Sequence, residues 1–356
     1  MKTRLCALFL ALALPLCGCQ SMLEREQASV KPHPQDLTLS SDSSQLQAET
    51  YQELVSAVLY LVTQRAESGT VRFYNYSGDP EADVAAACLE VVQRDPMGAF
   101  LVDYIKHSVN RIVSYHEASF SISYRRPAEE TPQVTSVTGS SAIKNELRSA
   151  MSTFSPVVAL RVSYFSEDED YLRSLIDQAY YDTPISAFGM PEVSIALYPD
   201  SGIQRIVEIT LDYPLEGELL ALRQSQVEEE TRRLISAAEA TPFSLYHTLH
   251  QKSTPTSSLL HNTTHAALYN KYANSEGFAL AYKMLCDESG IPCTVVQGSL
   301  GEVPYFWNIV TTHSGSRHVD LFAGLYGLTD TSLTQKGDYH WASSYPICRD
   351  GSESFS

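Results

Sequence analysis

Apolar positions fall into three regimes along the chain. Residues 5–16 form an uninterrupted apolar run behind Lys2 and Arg4. That is shorter than the ~20 residues a membrane span needs and matches a secretory signal core. Residues 20–48 hold few apolar side chains among Ser, Gln, Pro and charge. Such a composition cannot bury enough surface to fold, so residues 19–48 are expected to form a flexible tether. From residue 49 onward the apolar spacing alternates between helical and strand-like periods, and folded material is expected to start there.

Between residues 49 and 126, Leu54, Val55, Val58, Leu61 and Val62 mark an amphipathic helix, Gly69 closes it, and residues 70–76 (TVRFYNY) read as a strand. Asp79 and Pro80 open a second helix across residues 84–92, which stops at Asp95 and Pro96. Two alternating segments follow, the clearer over residues 112–124. Residues 142–215 repeat this order, with helices over 143–151 and 171–180 and strands over 157–165, 193–197 and 206–213. Arg72 with Arg161, Asp95 with Asp182, and Arg111 with Arg205 are the landmarks that align the copies. Residues 127–141, rich in Pro, Thr and Ser, form the linker between them. Two copies of helix, strand, helix, strand, strand predict an α+β fold with helices on one face of antiparallel sheet. His107 and His116 stand alone and no catalytic residue types gather here, so this half reads as binding or spacer material.

Charge narrows the partners. The formal net charge is −17, from 25 basic and 42 acidic residues spread along the chain, which disfavours nucleic acid and anionic lipid headgroups. The first apolar run ends in Leu16-Cys17-Gly18-Cys19, which resembles the bacterial lipobox. The resemblance implies removal of residues 1–18, a lipid on Cys19, and an extracytoplasmic protein anchored to the bacterial cell membrane; cleavage that leaves Cys19 free is the alternative. Beyond it remain Cys88, Cys286, Cys293 and Cys348. Export would permit disulfides among these in three connectivities, and buried free thiols are the other reading. Their spacing, without a Cys-x-x-Cys pair or a histidine cluster, argues against a metal site, and no cofactor is expected.

Residues 216–356 form the last domain. A charged helical pattern covers residues 219–240, and Pro242 opens a helix through residue 249. Residues 275–286 (SEGFALAYKMLC) are an apolar helix that starts at Ser275 and buries Phe278, Ala281, Tyr282 and Leu285. Gly290 ends it, Pro292 forbids its continuation, and residues 293–297 read as a strand. Strands over 305–311 and 318–322 follow, with Ser314 and Gly315 as the turn between them. A helix followed by an antiparallel meander is the expected result.

Four short stretches stand out in this region: Ser275-Glu276-Gly277-Phe278-Ala279, Gly290-Ile291-Pro292, Tyr305-Phe306-Trp307-Asn308 and Val319-Asp320. In their order and spacing they resemble the transglutaminase-like (papain-type) superfamily, whose members show Cys-x-Gly-aromatic-Ala, Gly-Ile-Pro, His-x-Trp-Asn and Val-Asp. The resemblance places Ser275, Tyr305 and Asp320 at the positions of nucleophile, base and orienting carboxylate, with Glu276, Gly277, Trp307 and Asn308 along the cleft. In this superfamily the cysteine attacks a carbonyl, the histidine takes its proton, and the aspartate orients the imidazole. Only Asp320 keeps the family residue. A helix N-terminus lowers a thiol pKa from about 8.5 but does little for a serine hydroxyl, and a tyrosine of pKa about 10 is a poor base near neutrality. Cys286 lies ~16 Å further along the helix at 1.5 Å per residue and cannot replace the nucleophile. His318, two positions before Asp320 and on the same strand face, is an alternative base.

These residues support three functional readings. One is a cell-surface lipoprotein whose transglutaminase-like domain has lost catalysis and binds a peptide, protein or wall component. The others are an acyl-transferring or peptide-hydrolysing enzyme that uses Ser275, and an envelope spacer or scaffold.

Overall fold

Short capping sequences start the helices of the first unit. In the computed structural model, which describes residues 46–164 and 168–350, Thr50 and Glu53 form a capping box that opens α1 (Tyr51–Thr63). Asp79 caps α2 (Pro80–Gln93) and Asp95 caps α3 (Pro96–Leu101), each followed by a proline where the missing N–H costs nothing. Strands β1 (Leu46–Ala48), β2 (Ser68–Phe73), β3 (Val102–Ile112) and β4 (Tyr115–Tyr124) complete the unit in the sheet order β1-β2-β4-β3. The signal segment, Cys19 and the tether up to residue 45 lie outside the described residues.

A second sheet has the same order and sense. It is built from β5 (Val134–Val137), α4 (Gly139–Ser152), β6 (Val157–Val162), α5 (Glu169–Tyr181), β7 (Glu192–Tyr198) and β8 (Arg205–Asp212), with strand order β5-β6-β8-β7. In each sheet the first pair is parallel and the other two are antiparallel. The antiparallel sheet expected from the sequence is therefore a mixed one. Leu46–Ala48, assigned to the tether, and Val134–Val137, assigned to the linker, are its leading edge strands. Both are short and sit in polar surroundings, so their period-two burial carries little weight in a composition window. The alternating stretch over residues 112–124 also straddles a hairpin, with Ile112 ending β3 and Tyr115 opening β4.

The landmarks fare unequally. Arg72 and Arg161 hold equivalent places, beside Gln47 and Ser136 on the parallel neighbour and Glu117 and Ile206 on the antiparallel one. Arg111 is next to last in β3 whereas Arg205 starts β8, the counterpart of β4, so that pairing is corrected. Asp95 caps the start of α3 while Asp182 ends α5. On one face of the second sheet, Ile143, Leu147, Leu172 and Ile176 of its helices meet Val158, Leu160, Val207 and Ile209. Its other face receives the first unit: Phe100 of α3 packs edge-on to Tyr198 at 5.4 Å, and Arg126 bonds both carboxylate oxygens of Glu208.

The remaining chain runs through α6 (Gly217–Ala237), α7 (Pro242–Lys252), a short parallel pair β9 (Thr254–Pro255) and β10 (Tyr272–Ala273), and α8 (Ser275–Glu288). Then come β11 (Cys293–Leu300), β12 (Val303–Thr312), β13 (Gly315–Asp320), β14 (Leu325–Leu328), α9 (Asp330–Thr334) and β15 (Tyr339–His340). Their sheet is antiparallel throughout, in the order β14-β13-β12-β11-β15. Phe278, Ala281, Tyr282 and Leu285 of α8 pack on Val310, Val319 and Leu321. The fold is α+β. Cys88, Cys286, Cys293 and Cys348 are all buried free thiols. No helix among the described residues is long and apolar enough to cross a membrane.

Candidate functional site

Asn274 caps α8 by accepting the Gly277 N–H at 3.0 Å, which leaves Ser275 half-buried in the first helical position. Gly277 is fixed by a close approach: a β-carbon there would lie 2.6 Å from the His261 carbonyl oxygen. A glycine thus lets the preceding loop cross the first turn of the helix. On the same turn, Glu276 accepts the Asn262 amide at 3.1 Å and the Tyr181 hydroxyl at 2.9 Å. Burial raises the Glu276 carboxyl above its usual range, while those two hydrogen bonds oppose the rise. The Tyr181 ring in turn stacks on Phe306 at 5.5 Å. Ser-Glu-Gly therefore ties α8, α5, a loop and β12 together.

Strand alternation divides β12 between two environments. Asn308 faces α8 and donates to the Ala279 carbonyl at 2.9 Å, with its own carbonyl oxygen buried and unpartnered. Tyr305, Trp307 and Ile309 face the other way, into a cluster with Val296, Leu333, Tyr339 and Cys348. The edge of the Trp307 indole fits there because position 298 is glycine: a β-carbon on Gly298 would meet the indole at 2.5 Å and run into the His340 carbonyl.

Asp320 shares this far face and is fully enclosed. One carboxylate oxygen accepts the Tyr305 hydroxyl at 3.3 Å and the Ala323 N–H at 3.0 Å, and the other accepts the Tyr339 hydroxyl at 2.8 Å. Burial raises the Asp320 carboxyl; its hydrogen bonds pull the other way. Burial, then the charge of Asp320, drives the Tyr305 hydroxyl far above the ordinary tyrosine range. Tyr305 is a hydrogen-bond donor here and cannot serve as a base near neutrality.

His318 is committed elsewhere. Its Nδ1 lies 2.9 Å from the Trp307 indole nitrogen, and its Nε2 lies 2.8 Å from Asp330. An indole N–H can only donate, so Nδ1 carries no proton and Nε2–H donates to Asp330. Burial lowers the His318 pKa, with Asp330 opposing, and keeps the ring neutral. Donor atoms of His318, Asp330 and Cys348 lie within 4.8 Å of one another. A metal on Nε2 would require the ring proton on Nδ1, facing the indole N–H, so this trio is a poor cation site.

The structure thus joins Tyr305 to Asp320 directly and adds Tyr339 and Asp330, which no motif had marked. No hydrogen bond among the described residues links Ser275 to Tyr305, His318 or Asp320. Glu276 and Gly277 shape the helix start, and Trp307 and Asn308 are fully buried on opposite faces of the sheet. Tyr181 and Asn262 were also unmarked; the acidic residue beside Ser275 was the one sign that a donor pair would converge there.

No protein-family profile matches the chain. No curated protein matches it either. Among solved structures, a transglutaminase is similar at 14% identity and a TM-score of 0.27, over 48% of this chain and 52% of that one. A candidate protease from Parabacteroides distasonis is similar at 8% identity and a TM-score of 0.20, over 71% of this chain and 39% of that one.

Proposed function

We propose that the C-terminal part is a transglutaminase-like domain that has lost acyl-transfer chemistry and binds a peptide, protein or cell-wall component, in a protein held outside the cell membrane by a lipid on Cys19. The observation that carries this reading is the enclosure of Asp320. Its oxygens accept from two tyrosine hydroxyls and a backbone N–H, and no imidazole stands among these partners for it to orient. Ser275, at a helix start with no hydrogen-bonded base, stays an ordinary alcohol. An interaction role is further supported by Leu259 and Leu260, 83% and 87% exposed, on the loop that crosses Gly277.

The test is an amine-transfer and amide-hydrolysis assay with a serine-directed acylating probe, run on the full-length chain and on Ser275→Ala. Neither protein is expected to turn over substrate or take the label. Turnover or labelling that is present in the wild type and lost in Ser275→Ala would overturn the reading in favour of a serine enzyme. Replacing Cys19→Ala is expected to move the protein from the membrane fraction to the soluble one.

A further inference from the structure

The seam between the two four-stranded units holds a feature that neither the candidate site nor the fold requires. Glu208 and Arg126 close one part of the outer face of the second sheet. Beside them lies a hollow of about 410 Å³, within the range of small-molecule pockets. Arg65 and Arg161 are its charged lining residues, and Met97, Phe100, Leu101 and Val134 supply apolar wall.

Duplication shows why Arg161 is unusual. In the first unit its counterpart Arg72 bonds Glu117, its cross-strand neighbour, at 2.8 Å. In the second unit the cross-strand neighbour is Ile206, and among the described residues no carboxylate comes within 4.0 Å of the Arg161 guanidinium. Asp95 feels its charge across a longer distance, without an ion pair between them, and accepts the Gly98 N–H at the start of α3 through Oδ1.

Arg65 adds an independent observation. It stands two residues past the end of α1, after the cap residue Gln64, with φ +56°, a left-handed position that usually goes to glycine. Keeping an arginine there costs backbone energy, and it sets the side chain along the wall of the hollow. Its guanidinium lies over the Tyr124 ring at 4.8 Å and donates to the Arg126 carbonyl and the Thr131 hydroxyl, so among the described residues its partners carry no negative charge.

We propose that this hollow binds a small organic carboxylate with an apolar body, its charge held between Arg65 and Arg161 and its body against Met97, Phe100 and Leu101. Neither a peptide C-terminus nor a free acid is favoured by this chemistry, since both present the same group. Guanidinium matches carboxylate through paired, charge-assisted hydrogen bonds.

Isothermal titration of the full-length chain with N-acetylphenylalanine, benzoate, N-acetylphenylalaninamide and inorganic phosphate tests this. Saturable binding of either acid is expected, with the amide and phosphate at least roughly tenfold weaker. A tighter N-acetylphenylalanine would indicate a peptide C-terminus, and a tighter benzoate a free acid. Arg161→Gln is expected to weaken the acids by roughly 10- to 100-fold. Ile206→Glu, which supplies the partner that Arg72 has, is expected to abolish binding, whereas Arg72→Gln leaves it unchanged. If Ile206→Glu fails to fold by circular dichroism, Arg161→Gln decides. No saturable response to either acid, equal binding of amide or phosphate, or full affinity in Arg161→Gln would overturn the proposal.

Discussion

The two sides of β12 differ in kind. Toward α8 the strand offers Phe306, Asn308 and Val310, an apolar surface with one amide bonded to the helix. On the far side Tyr305 and Trp307 join two polar chains, one ending on Asp320 and one passing through His318 to Asp330. Asp320 and His318 are two residues apart on one strand face, yet their hydrogen bonds lead to separate partners. A residue kept at a motif position therefore says little about chemistry until its partners are counted. At Asp320 those partners are two phenols and an N–H, and no imidazole is among them.

This contrast can be broken by substitution, most severely at the indole. Trp307→Ala removes the centre of the far cluster and the donor to His318, and is expected to cost roughly 3–5 kcal/mol in urea denaturation. A loss under about 1 kcal/mol would mean that the far face is loosely packed. Asp320→Ala strands two buried hydroxyls and an N–H, for an expected loss of roughly 2–4 kcal/mol, with Asp320→Asn milder because its carbonyl oxygen still accepts. A neutral Asp320→Ala would indicate a carboxylate that is not held by the tyrosines.

Acid should act through the buried histidines. Burial, more than the nearby Arg223, lowers His265 from 6.5 to about 4, and burial also lowers His318. Below pH 6.5 the unfolded chain binds more protons than the folded one at these sites, so their contribution is present above that value and is lost as pH falls toward 4. Asp320 and Glu276, with raised values, act in the opposite sense. Thermal melts between pH 7 and 4 are expected to show a shallower loss in His265→Gln than in the wild type. An unchanged slope would mean that the ring is hydrated and not buried.

The smallest expected effects separate two neighbours at the start of α8. Asn274→Ala removes the cap and should cost about 1 kcal/mol, whereas Ser275→Ala should stay within about 0.5 kcal/mol. A larger effect at Ser275, read by denaturation, would show that its hydroxyl has a partner and would sharpen interest in it as a nucleophile.

Much of this layout was legible along the chain. Asp79-Pro80 signalled a helix start, Gly290 and Pro292 marked the end of α8, and the alternation around Trp307 marked a strand, because caps, breakers and period-two burial are local effects. The edge strands Leu46–Ala48 and Val134–Val137 escaped notice because three or four residues gain strand structure only from a partner that the fold brings. At the candidate site the residue types at positions 275, 305 and 320 were plain, but Tyr339 and Asp330 were not, since hydrogen-bond partners far apart in sequence leave no local pattern.

By itself, the sequence determined that Ser275 opens a helix, that a tyrosine stands where the resemblance calls for histidine, and that the chain carries an excess of acidic groups. Only the tertiary structure decided what each group can do. It closed Asp320 with two tyrosines, fixed the His318 tautomer through an indole, and left Arg161 beside Ile206 instead of a carboxylate. The reason is physical: helix caps and strand alternation follow from a few neighbouring residues, whereas protonation, tautomer and charge balance depend on burial and on partners that only folding brings within hydrogen-bond reach.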